Sequence, residues 1–200
     1  IVLEAYDLNV KDKNLYFAQR DANGKWGELV ALDSLNTEFE ERSPYLHPDM
    51  KTLYFSSSGY PGLGGLDVFK TTRLDDTWTR WSKPVNIGKE LNTMNDDWAY
   101  KISTDGKTAW FSNRAFGGEQ DINVATMPVS VRPNEVKLVE LNLTDDQGKP
   151  FTGTVLPENP ATGKTEGTFK ANPAGGSTVI TVPNDKPYSI RLVQPGYFPV

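Results

Sequence analysis

Side chains able to do chemistry are few in this sequence and widely spread. His47 is the single histidine among 200 residues, so an imidazole metal site or a catalytic triad has one ring to draw on. It stands in Leu46-His47-Pro48-Asp49, a stretch with turn composition, and reads as a loop residue. Cysteine is absent, which removes disulfides, thiolate ligands and cysteine nucleophiles together. Oxygen ligands for Ca²⁺ would have to come from Asn95-Asp96-Asp97 or Asp145-Asp146. Neither run has the alternate spacing and central glycine of a calcium loop, so both read as solvated turns. Paired carboxylates for glycoside hydrolysis need a separation that only a fold can set. The run Gly59-Tyr60-Pro61-Gly62-Leu63-Gly64-Gly65 continues into Leu66-Asp67 rather than Lys-Ser or Lys-Thr, which rules out a phosphate loop. This inventory predicts no catalytic residue, no metal and no cofactor.

The elements that position these residues repeat. Leu35 to Ser56 aligns without gaps on Leu91 to Ser112, at a constant offset of 56, with eight of 22 positions identical. Glu40/Asp96, Glu41/Asp97, Leu46/Ile102 and Tyr54/Trp110 change conservatively. Gly64-Gly65-Leu66-Asp67-Val68-Phe69 is echoed by Gly117-Gly118 and Asp121-Ile122-Asn123. A shorter first copy matches Lys13 to Phe17 with Lys51 to Phe55, and Lys25 to Val30 with Arg80 to Val85. Each copy reads as short strands separated by turns; in the second they are Pro44 to Leu46, Thr52 to Ser57, Leu66 to Thr72 and Ser82 to Ile87. Four strands in such a repeat make one propeller blade. Asp49 and Asp105 are placed to accept hydrogen bonds from turn amides, and Gly106 suits a positive φ. Leu53, Phe55, Ala109 and Phe111 alternate with Tyr54 and Trp110, so each strand shows an apolar set to both neighbouring blades.

Composition shifts at Met127 to Asn134, which reads as a linker between blades (1–131) and a second domain (135–200). Val136 to Leu143 alternates apolar and polar residues, and further strands follow at Thr152 to Leu156, Gly167 to Lys170, Ser177 to Val182 and Tyr188 to Leu192. The fold class expected is therefore all-β: about three four-stranded antiparallel blades of an incomplete propeller, then a small β-sandwich. The net charge of −5 and the scatter of Lys and Arg argue against a nucleic-acid partner. No stretch approaches the roughly 18 apolar residues of a membrane-spanning helix. The chain starts inside an apolar segment at Ile1 and stops where another strand would begin, which reads as part of a longer protein.

Two sets of motifs resemble known families. SPYLHPDMKTLYFSS with GGLDVF, and STDGKTAWFS with its following GG and DI, resemble the TolB-type Pro-Asp propeller repeat over about residues 5 to 130. The form is most similar to repeats in Bacteroidetes envelope proteins of the OmpA family. Those join tetratricopeptide repeats, the propeller, a carboxypeptidase-regulatory-like sandwich and a peptidoglycan-binding domain. One such architecture belongs to a type IX secretion component that tethers the machinery to the cell wall. This chain departs from the pattern at Thr104-Asp105, where the proline is missing, and three blades do not close a ring. Asp146, Gly148, Lys149, Pro150, Tyr188, Ile190, Gly196 and Tyr197 resemble the carboxypeptidase-regulatory-like or transthyretin-like sandwich.

The resemblance implies a periplasmic, outer-membrane-associated protein that is not an enzyme. Its partners would be envelope proteins of the outer membrane or secretion complex, with peptidoglycan reached through a domain outside this chain. The loop 59–65 and the inter-blade loops 33–42 and 88–97 should open on one rim, where Tyr60, Trp98, Arg114 and Phe116 are the candidate interaction residues. Two other readings stay open. One is a carbohydrate or peptidoglycan-fragment binder stacking sugars on exposed Trp78, Trp81 or Trp98. The other is the accessory propeller of an envelope hydrolase. Asp33-Ser34-Leu35 resembles a Bacteroidetes O-glycosylation motif, and Asn142-Leu143-Thr144 fits an N-glycosylation sequon.

Overall fold

A computed structural model describes residues 1–7, 12–21, 24–114, 120–194 and 196. Among the described residues every regular element but one is a β-strand, the exception being a 3-10 turn at Val129–Val131. The chain divides into two compact units, Ile1–Pro133 and Asn134–Val200.

The first unit holds three antiparallel sheets, one per sequence repeat. The middle blade is complete: β4 (Glu41–Leu46), β5 (Thr52–Ser57), β6 (Asp67–Thr72) and β7 (Val85–Asn86) pair in chain order. Before it, β1 (Val2–Asp7), β2 (Asp12–Phe17) and β3 (Val30–Ala31) form the first blade. After it, β8 (Asp97–Ile102), β9 (Thr108–Arg114) and β10 (Gln120–Thr126) form the third.

The first blade corrects one register read from the repeat. Lys13 to Phe17 matches Lys51 to Phe55 in letters, but it occupies the place of the third strand, not the second. β2 pairs with the short strand β3 as β6 pairs with β7. The bridge Arg20↔Trp26 then matches Arg73↔Trp81. Alternation of Leu, Tyr and Phe suits any strand buried on both sides, so the letters alone do not say which strand it is.

Period-two alternation divides the apolar side chains between two cores. Leu53 and Phe55 of β5, with Phe69 and Trp81, pack on Leu15, Phe17, Leu32 and Leu35 of the first copy. Tyr54, pointing the other way, joins Val68 and Ile87 against Tyr100, Ile102, Ala109 and Phe111 of the third blade. Tyr54 and Tyr100 meet with ring centroids 4.7 Å apart. Every residue of β5 is buried as a result.

The segment Met127 to Val131 is not the free linker its composition suggests. Met127 and Val131 are buried in the second of these cores. Tyr54 donates its hydroxyl to the Val131 carbonyl at 2.7 Å, and Tyr100 donates to Met127 Sδ at 2.9 Å. Arg132 returns two guanidinium hydrogen bonds to the Met127 carbonyl, at 3.0 and 2.8 Å. The chain therefore seals the bottom of the blade interface before it leaves.

In the second unit, β11 (Val136–Asn142) pairs with β14 (Ser177–Pro183). A second sheet has the order β13 (Phe169–Lys170), β12 (Thr154–Glu158), β15 (Ser189–Val193). Val155, Ile180 and Val182 are buried at the centre, ringed by Val139, Leu141, Phe169, Ile190 and Leu192. In the turn after β11, Asp145 Oδ1 accepts from the Gln147 and Lys149 amides at 3.0 and 2.8 Å, and Gly148 has φ +78°.

Turn chemistry repeats with the strands. Met50 and Gly106 occupy the same position at the offset of 56, with φ +58° and +69°. A Cβ on Gly106 would stand 2.8 Å from Pro133 Cδ, whereas Met50 is exposed. A left-handed residue with a side chain is strained by about 1 kcal/mol. Met50→Gly should therefore raise the unfolding free energy by about 0.5–1 kcal/mol, and Gly106→Ala should lower it by about 1 kcal/mol or more. Urea denaturation of both variants checks the opposite signs.

Candidate interaction surface

Three loops interlock on one rim of the blades: 35–41, 59–65 and 91–97. Each inter-blade loop is held by an asparagine and a buried carboxylate that recur at the offset of 56. Asn36 accepts from the Leu15 amide at 2.8 Å and donates to the Leu15 carbonyl at 3.0 Å. Asn92 makes the same pair with Val68, at 2.9 and 3.0 Å. An asparagine amide thus stands in for one ladder pairing and ties the loop to the blade behind it.

The carboxylates close the loops on themselves. Glu41 Oε2 accepts from the Thr37 amide at 2.8 Å, and Oε1 accepts from the Thr37 and Ser57 hydroxyls at 2.8 and 2.6 Å. Asp97 Oδ2 accepts from the Thr93 amide at 2.6 Å and the Thr93 hydroxyl at 3.1 Å. Neither carboxylate is solvent-exposed. Burial raises both acids above the usual carboxylate range, against the pull of these hydrogen bonds, and Asp67 and Asp96 push Asp97 further up.

Both strands that follow begin with a β-bulge at the same place. The register shifts between Arg42 and Tyr45, and between Trp98 and Lys101. Ser43 and Ala99 supply the turn, with φ +51° and +54°. In the first case the Ser43 amide is taken by Glu4, whose other oxygen pairs with Lys13 at 2.8 Å.

The glycine-rich loop fits between its neighbours because the positions that face them lack a Cβ. A Cβ on Gly59 would run into Thr37, on Gly64 into the Asn95 carbonyl, and on Gly65 into Asp96. Asp67 Oδ2 accepts from the Leu63 and Gly64 amides at 2.8 and 3.0 Å. Asp96 and Asp97 are therefore not solvated turn residues: Asp96 Oδ1 takes the Leu66 amide at 3.1 Å, and Asp97 is wholly buried. Among the described residues no three His, Asp or Glu side chains converge as a metal-ligand group.

The sequence-derived candidates are not brought together. Tyr60 is half-buried; its ring lies 5.3 Å from Phe69 and 6.2 Å from Phe55, and it donates to the Leu35 carbonyl at 2.8 Å. Burial pushes its phenol up to about 12. Trp98 is half-buried, with the Arg42 guanidinium 5.4 Å from its ring centre. Arg114 ends β9 opposite Gln120, and Phe116 lies outside the described residues. Among the stacking candidates, Trp81 is buried, its indole N–H donating to the Trp78 carbonyl at 2.8 Å, so it offers no face to a sugar. Trp78 is half-buried under the Arg73 guanidinium at 4.3 Å.

Among what the rim exposes are three large apolar side chains, Phe39, Leu63 and Met94, the last at 80%. One comes from each interlocked loop. Nothing in their letters marks them, since the first and last replace each other's polar neighbours at the repeat offset. The staples carried a signal in the repeat, through identical Asn and Thr with an acid four residues beyond the Thr. Comparison with protein-family models and with curated proteins returns no match for the chain.

His47 is fully buried and belongs to the turn before β5. Its Nδ1 lies 3.2 Å from the Asp49 amide nitrogen and 3.4 Å from Asp49 Oδ1. Asp49 accepts from the Lys51 and Thr52 amides at 2.9 and 2.8 Å and from the Thr52 hydroxyl at 2.7 Å. Burial alone would raise this carboxyl, but the imidazole, the amides and the hydroxyl outweigh it and hold it at about 2. In the next blade Ser103 replaces the imidazole, donating to Asp105 at 2.6 Å, and the Lys107 amide adds 3.0 Å.

Two outcomes follow from these acids. Glu41→Ala and Asp97→Ala should each cost about 2–3 kcal/mol, since each strands buried donors, whereas exposed Glu38→Ala should change the urea midpoint little. Asp49 is depressed in the folded state, so its contribution is present above its unfolded value near 4 and lost as pH falls towards about 2. Asp49→Asn should be less stable than the parent by on the order of 2 kcal/mol at pH 6. That gap should close by pH 2, as read from denaturation at stepped pH.

Proposed function

We propose that this chain is a non-catalytic scaffold whose interlocked rim loops hold a protein partner. The observation that carries the reading is the set Phe39, Leu63 and Met94. These are exposed apolar side chains on loops pinned by buried Glu41, Asp67 and Asp97. Loops already ordered lose little entropy on binding, and apolar tips on a rigid frame supply the contact area. The burial of His47 inside a turn supports a structural use of the only imidazole.

The motif resemblances extend the reading to a place. A TolB-type Pro-Asp propeller followed by a carboxypeptidase-regulatory-like sandwich fits a periplasmic, outer-membrane-associated protein of Bacteroidetes type. Its partners would then be envelope proteins of the outer membrane or secretion apparatus, with cell-wall anchoring through a domain outside this chain.

A second reading, binding of a glycan or peptidoglycan fragment, is favoured by one cleft. Arg20, Asp21, Lys25, Trp26 and Glu28 line about 620 Å³ beside the first blade. Trp26 is exposed, with the Arg20 guanidinium 4.4 Å from its ring centre. Aromatic faces flanked by charged hydrogen-bonding groups suit sugars.

Photo-crosslinkers at positions 39, 63 and 94 of the complete protein in intact envelopes test the first reading. Defined outer-membrane or secretion proteins should be captured. Phe39→Ala with Met94→Ala should reduce capture at position 63 about tenfold or more without moving the unfolding midpoint. Capture unchanged by the double variant would sink the rim reading. Saturable quenching of tryptophan fluorescence by muropeptides, lost in Trp26→Ala, would move the second reading ahead.

A further inference from the structure

The three interlocked rim loops, 35–41, 59–65 and 91–97, hold the acids Glu38, Glu40, Glu41, Asp96 and Asp97 and neither a lysine nor an arginine. Buried Asp67 stands just beyond the glycine-rich loop. Among the described residues, the ion pair that these acids make is Glu40 with Arg42, at 3.3 Å. Otherwise they are met by neutral donors: Glu41 and Asp97 by threonine amides and hydroxyls, Asp67 and Asp96 by the amides of residues 63, 64 and 66. Asp67 Oδ1 is buried with no hydrogen-bond partner among the described residues. Amide and hydroxyl dipoles orient a carboxylate but leave its net charge in place.

The turns at the other end of the same strands are built differently. There Arg73 pairs with Asp76 at 3.1 Å, Arg80 with Asp75 at 3.2 Å and Lys107 with Asp105 at 3.4 Å. Those turns neutralise their acids with cations of their own, whereas the rim leaves most of its negative charge to be met from outside. That charge stands beside the apolar tips. Glu38 and Glu40 flank Phe39, Asp96 lies two residues past Met94, and the Leu63 amide is held by Asp67. Glu38 is exposed and Asp96 half-buried, so both can reach a bound chain.

We propose that the protein segment held by the rim is basic as well as apolar. Its apolar side chains lodge among Phe39, Leu63 and Met94, and Lys or Arg residues beside them answer Glu38 and Asp96. This rests on the rim reading above and gives its partner a chemistry. An acidic segment would set like charges against Glu38 and against the group of Asp67, Asp96 and Asp97. A neutral apolar segment would draw water away from the rim carboxylates without replacing it. Cations flanking the apolar anchors do neither, and they draw the partner in from a distance.

Photo-crosslinking from position 63 of the complete protein in intact envelopes, with the captured segment sequenced by mass spectrometry, tests this. The segment should carry more Lys and Arg than Asp and Glu around its attachment site. Glu38→Gln with Asp96→Asn keeps an acceptor for the Leu66 amide and should leave the unfolding midpoint in place. It should lower capture about threefold or more. Asp75→Asn with Asp76→Asn removes the same charge at the opposite end and should leave capture as it is. Three results overturn the basic partner and leave the rim reading standing: a neutral or acidic segment, capture indifferent to the rim pair, or equal loss from both pairs. Absence of capture, or capture indifferent to Phe39→Ala with Met94→Ala, overturns the rim reading and this inference with it.

Discussion

Strand β5 has a blade on each side, and the rest of the first unit depends on that constraint. A strand in a one-sided sheet can alternate apolar and polar residues. Here both faces are removed from water, so Leu53 and Phe55 on one face and Tyr54 on the other must all find apolar partners. Burying such side chains is worth about 1.5–3 kcal/mol each, and that energy holds adjacent blades together without disulfides. The same requirement explains why Met127 and Val131 stay with the blades: they close the core around Tyr54 and Tyr100.

Stacking blades leaves the loops between them to be organised by polar groups. Asn36 and Asn92 imitate a strand edge, while Glu41 and Asp97 gather amide and hydroxyl donors that the turn would otherwise bury unpaired. A buried carboxylate is costly unless its hydrogen bonds are made, and here they are made by the loop it closes. The glycines at 59, 64 and 65 then allow the neighbouring loop to approach those staples. The apolar tips Phe39, Leu63 and Met94 are thus carried by a frame stiffened through charge rather than through size.

Repetition also explains why one position is core in one blade and exposed in another. Blade interfaces are defined by neighbours, so an identical position is core in the middle blade and surface at the ends. Val68 and Ile122 share a position in the repeat and differ only in what lies over them. Apolar surface of that kind is a property of the arc, not of the residue.

The amino-acid sequence by itself determined the all-β class, the number of blades visible, the repeat offset and the two-faced alternation of β5, because periodicity and turn composition are local. Leu53, Tyr54 and Phe55 announce a strand buried on both sides wherever they are read. It also carried the aspartate turns, since Asp49 and Asp105 act on amides two or three residues away. Only the tertiary structure decided that Lys13 to Phe17 is a third strand, that Trp81 is core while Trp26 is surface, and that Asp97 is a buried staple. The Asp97 staple had a mark in the repeat, and only the fold showed it to be a buried hydrogen-bond acceptor. The strand's place and the two tryptophans' fates depend on which strand or blade stands beside them, which their own letters do not record. The rim tips Phe39, Leu63 and Met94 were illegible for the same reason. An apolar letter reads as core until the fold shows that nothing covers it.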